Sequence, residues 1–462
     1  MTQIHLPTFS EFSSCPLGDA RRNVRAGVVV GQLLSHSGRS VAQSCGSKSQ
    51  AMACYRLAAS EDVTHFALLQ GHRTMSTLRA GGRRIVLCAL DTTTFSFGQR
   101  EDIDGFGPVD SALAVQGFFA HSALLVDPED GSVLGVAAQE VWARSWTPAP
   151  KGETSAQRKF RDRESEHWGG VQDGVAQAFG RTRSPANVWS PPPPDSPRII
   201  AVFDREGDIF EAMQTMRDLQ HGFVIRAIRD RRLAIPVSNE TLSMTAVEKA
   251  PELGTVQILV PRKAGQASRS ATLSVRGVRM ALKPPKSIGG KGVSIEVGMV
   301  LVEELDPPEG VTPLAWYLLT TEPCESLEDA LTVVRFYRFH MGLKTGCSIE
   351  RAQFETMHSF ENFLALATVA AWQMLVLRDA ARGGSTDVSE QILSRTQRAI
   401  LRREFPRLAA KPSAREWMHA LAKMGGFFGR KSDGEPGWRT LWWGWRRLRS
   451  LEEGWLMALR DV

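Results

Sequence analysis

Long apolar runs, a signal-like start and paired cysteines are all lacking in this chain of 462 residues. No apolar run approaches the ~18 residues that a membrane-spanning helix needs. The first fifteen residues do not show the basic-then-apolar order of a signal peptide. The six cysteines are scattered, without a CxxC pair or a histidine at zinc spacing, which predicts reduced thiols. These absences predict a soluble, cytoplasmic protein with no membrane partner.

Acidic residues are outnumbered by basic ones. The chain has 56 lysines and arginines against 50 aspartates and glutamates, a net charge of +6 and a pI of about 9.1. Such an excess fits a polyanionic partner such as nucleic acid, but many basic proteins bind none. The charge alone leaves both possibilities open.

The first part of the chain, to about residue 78, has apolar residues at helical spacing and predicts two or more helices. Arg21, Arg22 and Arg25 stand at the front of one of them, in "LGDARRNVRAGVVV". One interpretation is a solvated charged face on a small helical bundle. The other is a helical DNA-binding module whose arginines contact phosphates. The pattern alone slightly favours the charged face.

Two aspartates stand in similar settings further along. Asp91 closes the buried run of a predicted strand in "RRIVLCALDTTTFSF", and Asp204 closes another in "RIIAVFDREGD". Carboxylates at strand ends in an open α/β sheet project into the crevice where ligands bind. Two of them could hold Mg²⁺ or Mn²⁺ for phosphodiester chemistry. Alternatively, each aspartate only caps a turn or the next helix.

Strands dominate again over residues 221 to about 320, after a proline-rich stretch that excludes helix, and helices return from Ser326 onward. Trp316 lies in an apolar strand, where it packs in the core or carries an unstacked base. Tyr337 and Lys344 are seven residues apart and share one helix face, which suits two phosphates or simply a solvated basic surface. The Trp-rich tail "WRTLWWGWRRLRS" predicts a helix for core packing, dimer contact or DNA contact.

Several of these segments occur together in one order: "LGDARRNVR", "GSKSQAMACYR", "LDTTTFSF", "HSALLVDPEDGSVLG", "RESEHW", "VFDREGDIFE", "WYLLTTEP", "LKTGCSIERAQFE" and "GWRTLWWGWRRL". In that order the chain resembles a bacterial DDE transposase of the insertion-sequence-four family, of the Tn-five-like kind. The resemblance covers almost the whole chain.

The resemblance implies an α/β fold: a ribonuclease H-like catalytic core with a β-rich insertion, flanked by helical N- and C-terminal domains. In this numbering the end-binding domain spans 1–78, the catalytic domain 79–380 with its insertion at about 221–320, and the dimerisation domain 381–462. Family chemistry is cut-and-paste transposition, in which three carboxylates hold two metal ions. The implied partners are transposon-end and target DNA and a second copy of the chain, with the protein nucleoid-associated when it is bound to DNA.

Residue by residue, the resemblance makes Asp91 and Asp204 the first two catalytic acids and Trp316 the ring that stacks on a flipped base. Tyr337 and Lys344 match the first and last residues of the family's Y-x-x-R-x-x-x-E-x-x-x-x-x-x-K signature.

The third catalytic acid is missing, because seven residues of the family signature are absent between Tyr337 and Lys344. The segment that normally carries the glutamate and an arginine is gone, with Arg335 or Arg338 as partial substitutes for the arginine. Seven residues are close to two helical turns, so the shortened helix keeps its phase to within about 20°. We therefore expect weak or absent cleavage. The alternatives are a catalytically inactive, dimerising DNA-binding protein that inhibits transposition or is a decayed remnant, and a nuclease that uses only two aspartates.

Overall fold

The computed structural model describes the helical and sheet regions of the chain and most of their connections. The described residues are 8–35, 40–98, 103–110, 114–146, 164–260, 269–285, 293–340, 354–381, 393–430 and 435–458.

Helices form the N-terminal part, as the periodicity predicts. They are α1 (Thr8–Phe12), α2 (Ala20–Ser35), α3 (Val41–Ser44), α4 (Lys48–Ala58) and α5 (His65–Ala80). The serine-rich start of α4 acts as its cap, since the Ser47 hydroxyl accepts a hydrogen bond from Gln50 N at 3.3 Å.

A twelve-stranded mixed sheet follows. Its first part consists of β1 (Ile85–Ser96), β2 (Gly107–Pro108), β3 (Gln116–Val126), β4 (Val133–Trp142), β5 (Arg198–Phe203) and β6 (Gly222–Arg226). The main strands run β4-β3-β1-β5-β6 across the sheet. The first three are antiparallel, and β1, β5 and β6 are parallel. This order and these directions are those of a ribonuclease H-like core, so the predicted fold class is confirmed.

The insertion extends the same sheet beyond β6. It contains β7 (Arg232–Val237), β8 (Glu240–Leu242), β9 (Glu252–Val260), β10 (Arg269–Leu282), β11 (Ile295–Leu305) and β12 (Ala315–Thr320). Strand β12 pairs with β6, and β11 and β10 follow outward. Strand β6, at the start of the predicted insertion of about 221–320, is paired in parallel with β5, and the next strand along the chain begins at Arg232. The domain boundaries stay predictions.

The remaining helices cover the two faces of the sheet and form the C-terminal part. They are α6 (Glu164–Ala178), α7 (Phe210–Asp218), α8 (Ser243–Glu248), α9 (Leu327–His340), α10 (Met357–Ala381), α11 (Arg395–Glu404), α12 (Ala414–Met424) and α13 (Trp438–Ala458). Helix α9 begins after Ser326, whose hydroxyl accepts from Asp329 N at 3.2 Å. The residue that is hydrogen-bonded to this N-terminal serine is therefore Asp329.

One apolar cluster joins the N-terminal helices, one face of the sheet, α10 and the C-terminal helices, from Phe12 to Leu448. A second fills the opposite face of the sheet, under α6 and α7. In the described part of the chain, one helix is long and apolar enough to cross a membrane, and the window is Met357–Val376. In this structure 72% of that window is buried, which is typical of the core helix of a globular protein.

A buried polar network attaches the N-terminal helices to the sheet. Glu11 accepts from His72 Nδ1 at 2.6 Å and from Arg79 at 2.8 Å, and Val136 N donates to His72 Nε2 at 3.0 Å. Because Nε2 accepts, the ring is neutral with its proton on Nδ1. Burial lowers the pKa of His72 in spite of Glu11, which agrees with that form. The N-terminal part therefore has a fixed position relative to the core.

Candidate active site

The two predicted catalytic aspartates are neighbours across the sheet. In the parallel pair β1–β5, Ala89 lies opposite Val202. Continuing this register by two residues places Asp91 opposite Asp204. In the next pair, β5–β6, Phe203 lies opposite Ile225, so the following position sets Asp204 beside Arg226. Neighbouring strands are about 4.8 Å apart, so the three residues form a short row at one edge of the parallel sheet.

Asp91 does not end its strand, although the continuous run of buried residues, Val86 to Leu90, stops just before it. Strand β1 continues to Ser96 and pairs with β3 throughout, with Asp91 opposite Ser122. The continuation "TTTFS" is rich in β-branched and aromatic residues, which favour strand. The sequence prediction is corrected here: the parallel pairing with β5 stops near Asp91, while the antiparallel pairing goes on.

Asp204 follows the last residue of β5, as predicted. Its Oδ1 accepts a hydrogen bond from Glu206 N at 2.9 Å and thereby caps a 3-10 turn over Arg205–Gly207. Asp204 therefore both caps this turn and lies beside Asp91. The cap fixes the direction of the side chain.

A third aspartate, Asp208, anchors the loop after β6 to this turn. Its buried carboxylate accepts from the backbone N of Ile228 at 2.9 Å and of Arg229 at 3.0 Å. It also pairs with Arg231, whose Nε lies 2.9 Å from Oδ1. Asp208 thus fixes the backbone on the far side of the aspartate row, and it was missed at the sequence level. Its place four residues after Asp204 was the available signal.

Tyr337 covers the row from helix α9. Its side chain is 2% exposed and hydrogen-bonds to Arg226. Burial raises the pKa of Tyr337, the guanidinium of Arg226 opposes this effect, and the negative charge of Asp204 adds to it. Sequence reasoning missed Arg226 as well, although an arginine that ends the apolar run "FVIR" is an unusual strand residue.

Trp316 approaches the same place from β12. Its ring centroid lies 6.2 Å from that of Tyr337, and its side chain is half-buried against the main apolar cluster. The structure therefore brings Trp316 together with Tyr337 and the aspartate row. Its packing fits the core alternative, and base stacking stays a prediction.

The other predicted DNA contacts are exposed or lie elsewhere. Arg338 is exposed on α9, one residue after Tyr337, whereas Lys344 lies outside the described residues. In α2, Arg21 pairs with Asp19 at 2.8 Å, and Arg22 pairs with Asp62 and donates to the carbonyl of Leu17. Arg25 is half-buried. The pairings of Arg21 and Arg22 agree with a charged helix face and leave their DNA contacts a prediction.

The described residues contain no cluster of three or more acidic, histidine or cysteine side chains suited to a metal ion. Two adjacent carboxylates nevertheless suit Mg²⁺, which is commonly held by one or two carboxylates with water and substrate phosphate. The donor set therefore fits one hard divalent ion, and a pair of ions would need a further acid.

Comparisons with known proteins agree with the two ends of the chain. Residues 8–63 match the family model "Transposase DNA-binding", and residues 388–460 match "Transposase Tn5 dimerisation domain". Among solved structures, a piggyBac transposase synaptic complex with hairpin DNA, determined by cryo-EM, is similar at 9% identity and a TM-score of 0.30. That alignment covers 80% of this chain and 57% of the piggyBac chain. The two family matches support a Tn5-like transposase with DNA-binding and dimerisation domains at its ends.

Proposed function

We propose that this chain is a cut-and-paste DNA transposase of the insertion-sequence-four family that binds transposon ends as a homodimer. The observation that carries the proposal is the row of Asp91, Asp204 and Arg226 on three neighbouring strands, beneath Tyr337 and Trp316. Adjacent carboxylates, a cation and aromatic rings at one sheet edge suit a phosphodiester whose neighbouring base is unstacked. Such a protein works in the bacterial cytoplasm, on nucleoid DNA.

The proposed site uses Mg²⁺, with Mn²⁺ as a substitute, held by Asp91 and Asp204. A divalent ion there would supply an activated water and charge neutralisation at the leaving oxygen. The chain's own residues orient the strand: Arg226 attracts the phosphate, and the cap at Glu206 N keeps Asp204 turned in one direction. Tyr337 holds Arg226 in place through their hydrogen bond.

We also propose that cleavage by this chain is weak or absent. The six residues between Tyr337 and Lys344 read "RFHMGL" and contain no carboxylate. Counted back from Lys344, the family's glutamate position is occupied by Tyr337, and burial raises the pKa of its phenol. A neutral phenol is a poor ligand for Mg²⁺. Two carboxylates suit one metal ion, whereas the family chemistry uses two metal ions.

The test begins with selection of a DNA duplex from a randomised library by the full-length chain. The selected duplex, labelled on both strands, is then incubated with the chain and Mg²⁺ or Mn²⁺, and nicks and hairpins are resolved on denaturing gels. We expect sequence-selective binding with little or no cleavage above that of Asp204→Asn. Robust cleavage that Asp204→Asn abolishes would refute the proposed impairment, and failure to select any sequence would refute the transposase proposal.

A second candidate is a dimerising DNA-binding protein that inhibits an intact transposase. The observation that favours it is the donor set of two carboxylates together with end domains similar to DNA-binding and dimerisation domains. Mixing the chain with a full-length transposase that cuts the same selected duplex tests the second candidate. An inhibitor lowers cleavage in proportion to the mixed dimers formed, and unchanged cleavage would refute this candidate.

A further inference from the structure

A basic cleft opens on the opposite face of the sheet from Tyr337. Its volume is about 1120 Å³, and it lies between the outer end of β1, strand β4, the turn after β5 and the loop after β6. Six cationic side chains line it: Arg144, Arg205, Arg229, Arg231, Arg232 and Lys283. Of these, Arg205, Arg229, Arg232 and Lys283 are exposed.

The basic cleft and the aspartate row share one edge of the sheet. Thr92 and Thr94 line the cleft, and because side chains alternate along a strand, they point away from the face that carries Asp91. Arg205 follows Asp204 directly and also lines the cleft. A chain molecule that passes over this edge therefore meets the carboxylates on one side and the cleft on the other.

The cationic character of the cleft is preserved although acids are present. Glu206, Glu211 and Asp230 also line it, which leaves an excess of three positive charges among the lining residues, or two once Arg231 is counted with its buried partner Asp208. Asp230 is engaged at the start of α8, where it accepts from Met244 N at 2.7 Å and from the Thr245 hydroxyl at 3.1 Å. An enclosed surface with this excess attracts polyanions more strongly than the average surface of a chain with net charge +6.

Aromatic residues in the lining are engaged with one another. Trp142 stacks with Phe119 at 5.5 Å and with His167 at 4.1 Å, and the Arg144 guanidinium lies 4.4 Å from the Phe119 ring centroid. Base-stacking sites need an open ring face, whereas backbone sites need cations. The basic cleft therefore suits the phosphodiester backbone, without reading the bases.

We propose that the basic cleft binds the DNA that lies beyond the scissile phosphate, on the side away from the transposon end. The inference rests on the proposed function, because the aspartate row must hold that phosphate. The strand held there continues across the sheet edge, and Arg205, one residue after Asp204, is the first cation it meets. Arg229, Arg232 and Lys283 follow as contacts to successive phosphates.

The experiment uses the duplex selected by the full chain, alone or extended by 15 base pairs of random sequence on either side. Kd is measured against KCl concentration for the parent chain and for two triple variants. The cleft variant carries Arg229→Gln, Arg232→Gln and Lys283→Gln. The matched control carries Arg407→Gln, Lys411→Gln and Lys423→Gln, three exposed cations, of which the first two lie in the connection between α11 and α12 and the third on α12.

We expect an extension on one side to steepen the salt dependence of parent binding by about 0.9 per phosphate contact, or roughly 2.7 for three contacts. When the salt concentration rises from 50 to 200 mM, the affinity of the parent for the extended duplex should therefore fall by roughly 40-fold more than its affinity for the unextended duplex. The cleft variant should lose this increment and keep its affinity for the unextended duplex, while the control retains both.

Four results would overturn the inference: an extension that adds nothing in the parent, an increment that survives in the cleft variant, an equal loss on the unextended duplex, or a loss confined to unrelated DNA offered to the end-bound chain. The last result would assign the cleft to target DNA. A parent that selects no sequence refutes the proposed function together with the inference. An increment that survives in the cleft variant refutes the inference alone.

Discussion

Replacing Asp208 by alanine should strongly destabilise the protein, because its carboxylate is buried and fully engaged in hydrogen bonds and an ion pair. The change removes the counter-charge of Arg231, whose side chain is only 9% exposed, and the acceptor for two backbone N–H groups, those of Ile228 and Arg229. Breaking a buried ion pair by removing one partner costs about 3–5 kcal/mol. Each N–H group left without an acceptor costs about 1–3 kcal/mol. This cost overlaps with that of breaking the ion pair, so the two are not simply added. We therefore expect a loss of about 4 kcal/mol in the free energy of unfolding.

The measurement is urea denaturation of the full chain, followed by circular dichroism. Asp218→Ala is the matched control, because Asp218 is 61% exposed and pairs with Arg217 at 2.8 Å. An exposed pair of this kind contributes less than about 1 kcal/mol. Asp208→Asn should fall between the two, since its amide oxygen still accepts from the backbone.

The double variant Asp208→Ala/Arg231→Ala tests the reasoning further. If the cost comes from an uncompensated buried charge, removing Arg231 as well should recover about 1–3 kcal/mol relative to the sum of the single changes. Additive losses, or a midpoint shift for Asp208→Ala no larger than that for Asp218→Ala, would show that Asp208 does not anchor this loop.

Two further predictions concern buried side chains. Burial, assisted by Arg181, lowers the pKa of His221 to about 3. Between about pH 6.5 and 3 the unfolded chain therefore binds a proton that the folded chain does not. The free energy of unfolding decreases by up to ~1.4 kcal/mol for each unit by which the pH is lowered through this range. His221→Gln should flatten the dependence of the urea midpoint on pH over that window, and an unchanged slope would contradict it. Tyr337→Phe should cost about 1–2 kcal/mol by removing the hydrogen bond to Arg226, whereas an unchanged urea midpoint would show that this bond contributes nothing to the fold.

Local sequence patterns predicted most of the elements correctly, because each depends on neighbours along the chain. The segment around "DPEDG" forms two strands about a turn, in which Gly131 N donates to Asp127 O at 2.9 Å. The N-terminal helices and the strand before Asp204 are confirmed in the same way. Such patterns of alternation, capping and turn residues act over a few residues.

The arrangement of the site could not be read from those patterns. Asp91 and Asp204 are 113 positions apart in the sequence, and only the register of β1 with β5 sets them side by side. Arg226 joins them through a second register, that of β5 with β6. The burial of Tyr337 depends on how α9 meets the sheet, which the helical period alone does not determine. The resemblance to a family identified the two aspartates, whereas their neighbour Arg226 follows only from the long-range strand pairing.

The continuous sheet also has a consequence for synthesis of the chain. Strand β6 receives its second neighbour only when β12 forms, and Arg226 pairs with Leu318, 92 residues later. The ribosome synthesises about 5–20 residues per second, so roughly 5–20 seconds pass between the synthesis of β6 and that of β12. During that interval an apolar strand edge is open to pairing with another nascent chain. In the folded chain the insertion covers the edge of β6, but this edge stays uncovered until the end of the insertion has been synthesised. We expect the nascent chain to depend most on chaperones before residue 320 is made.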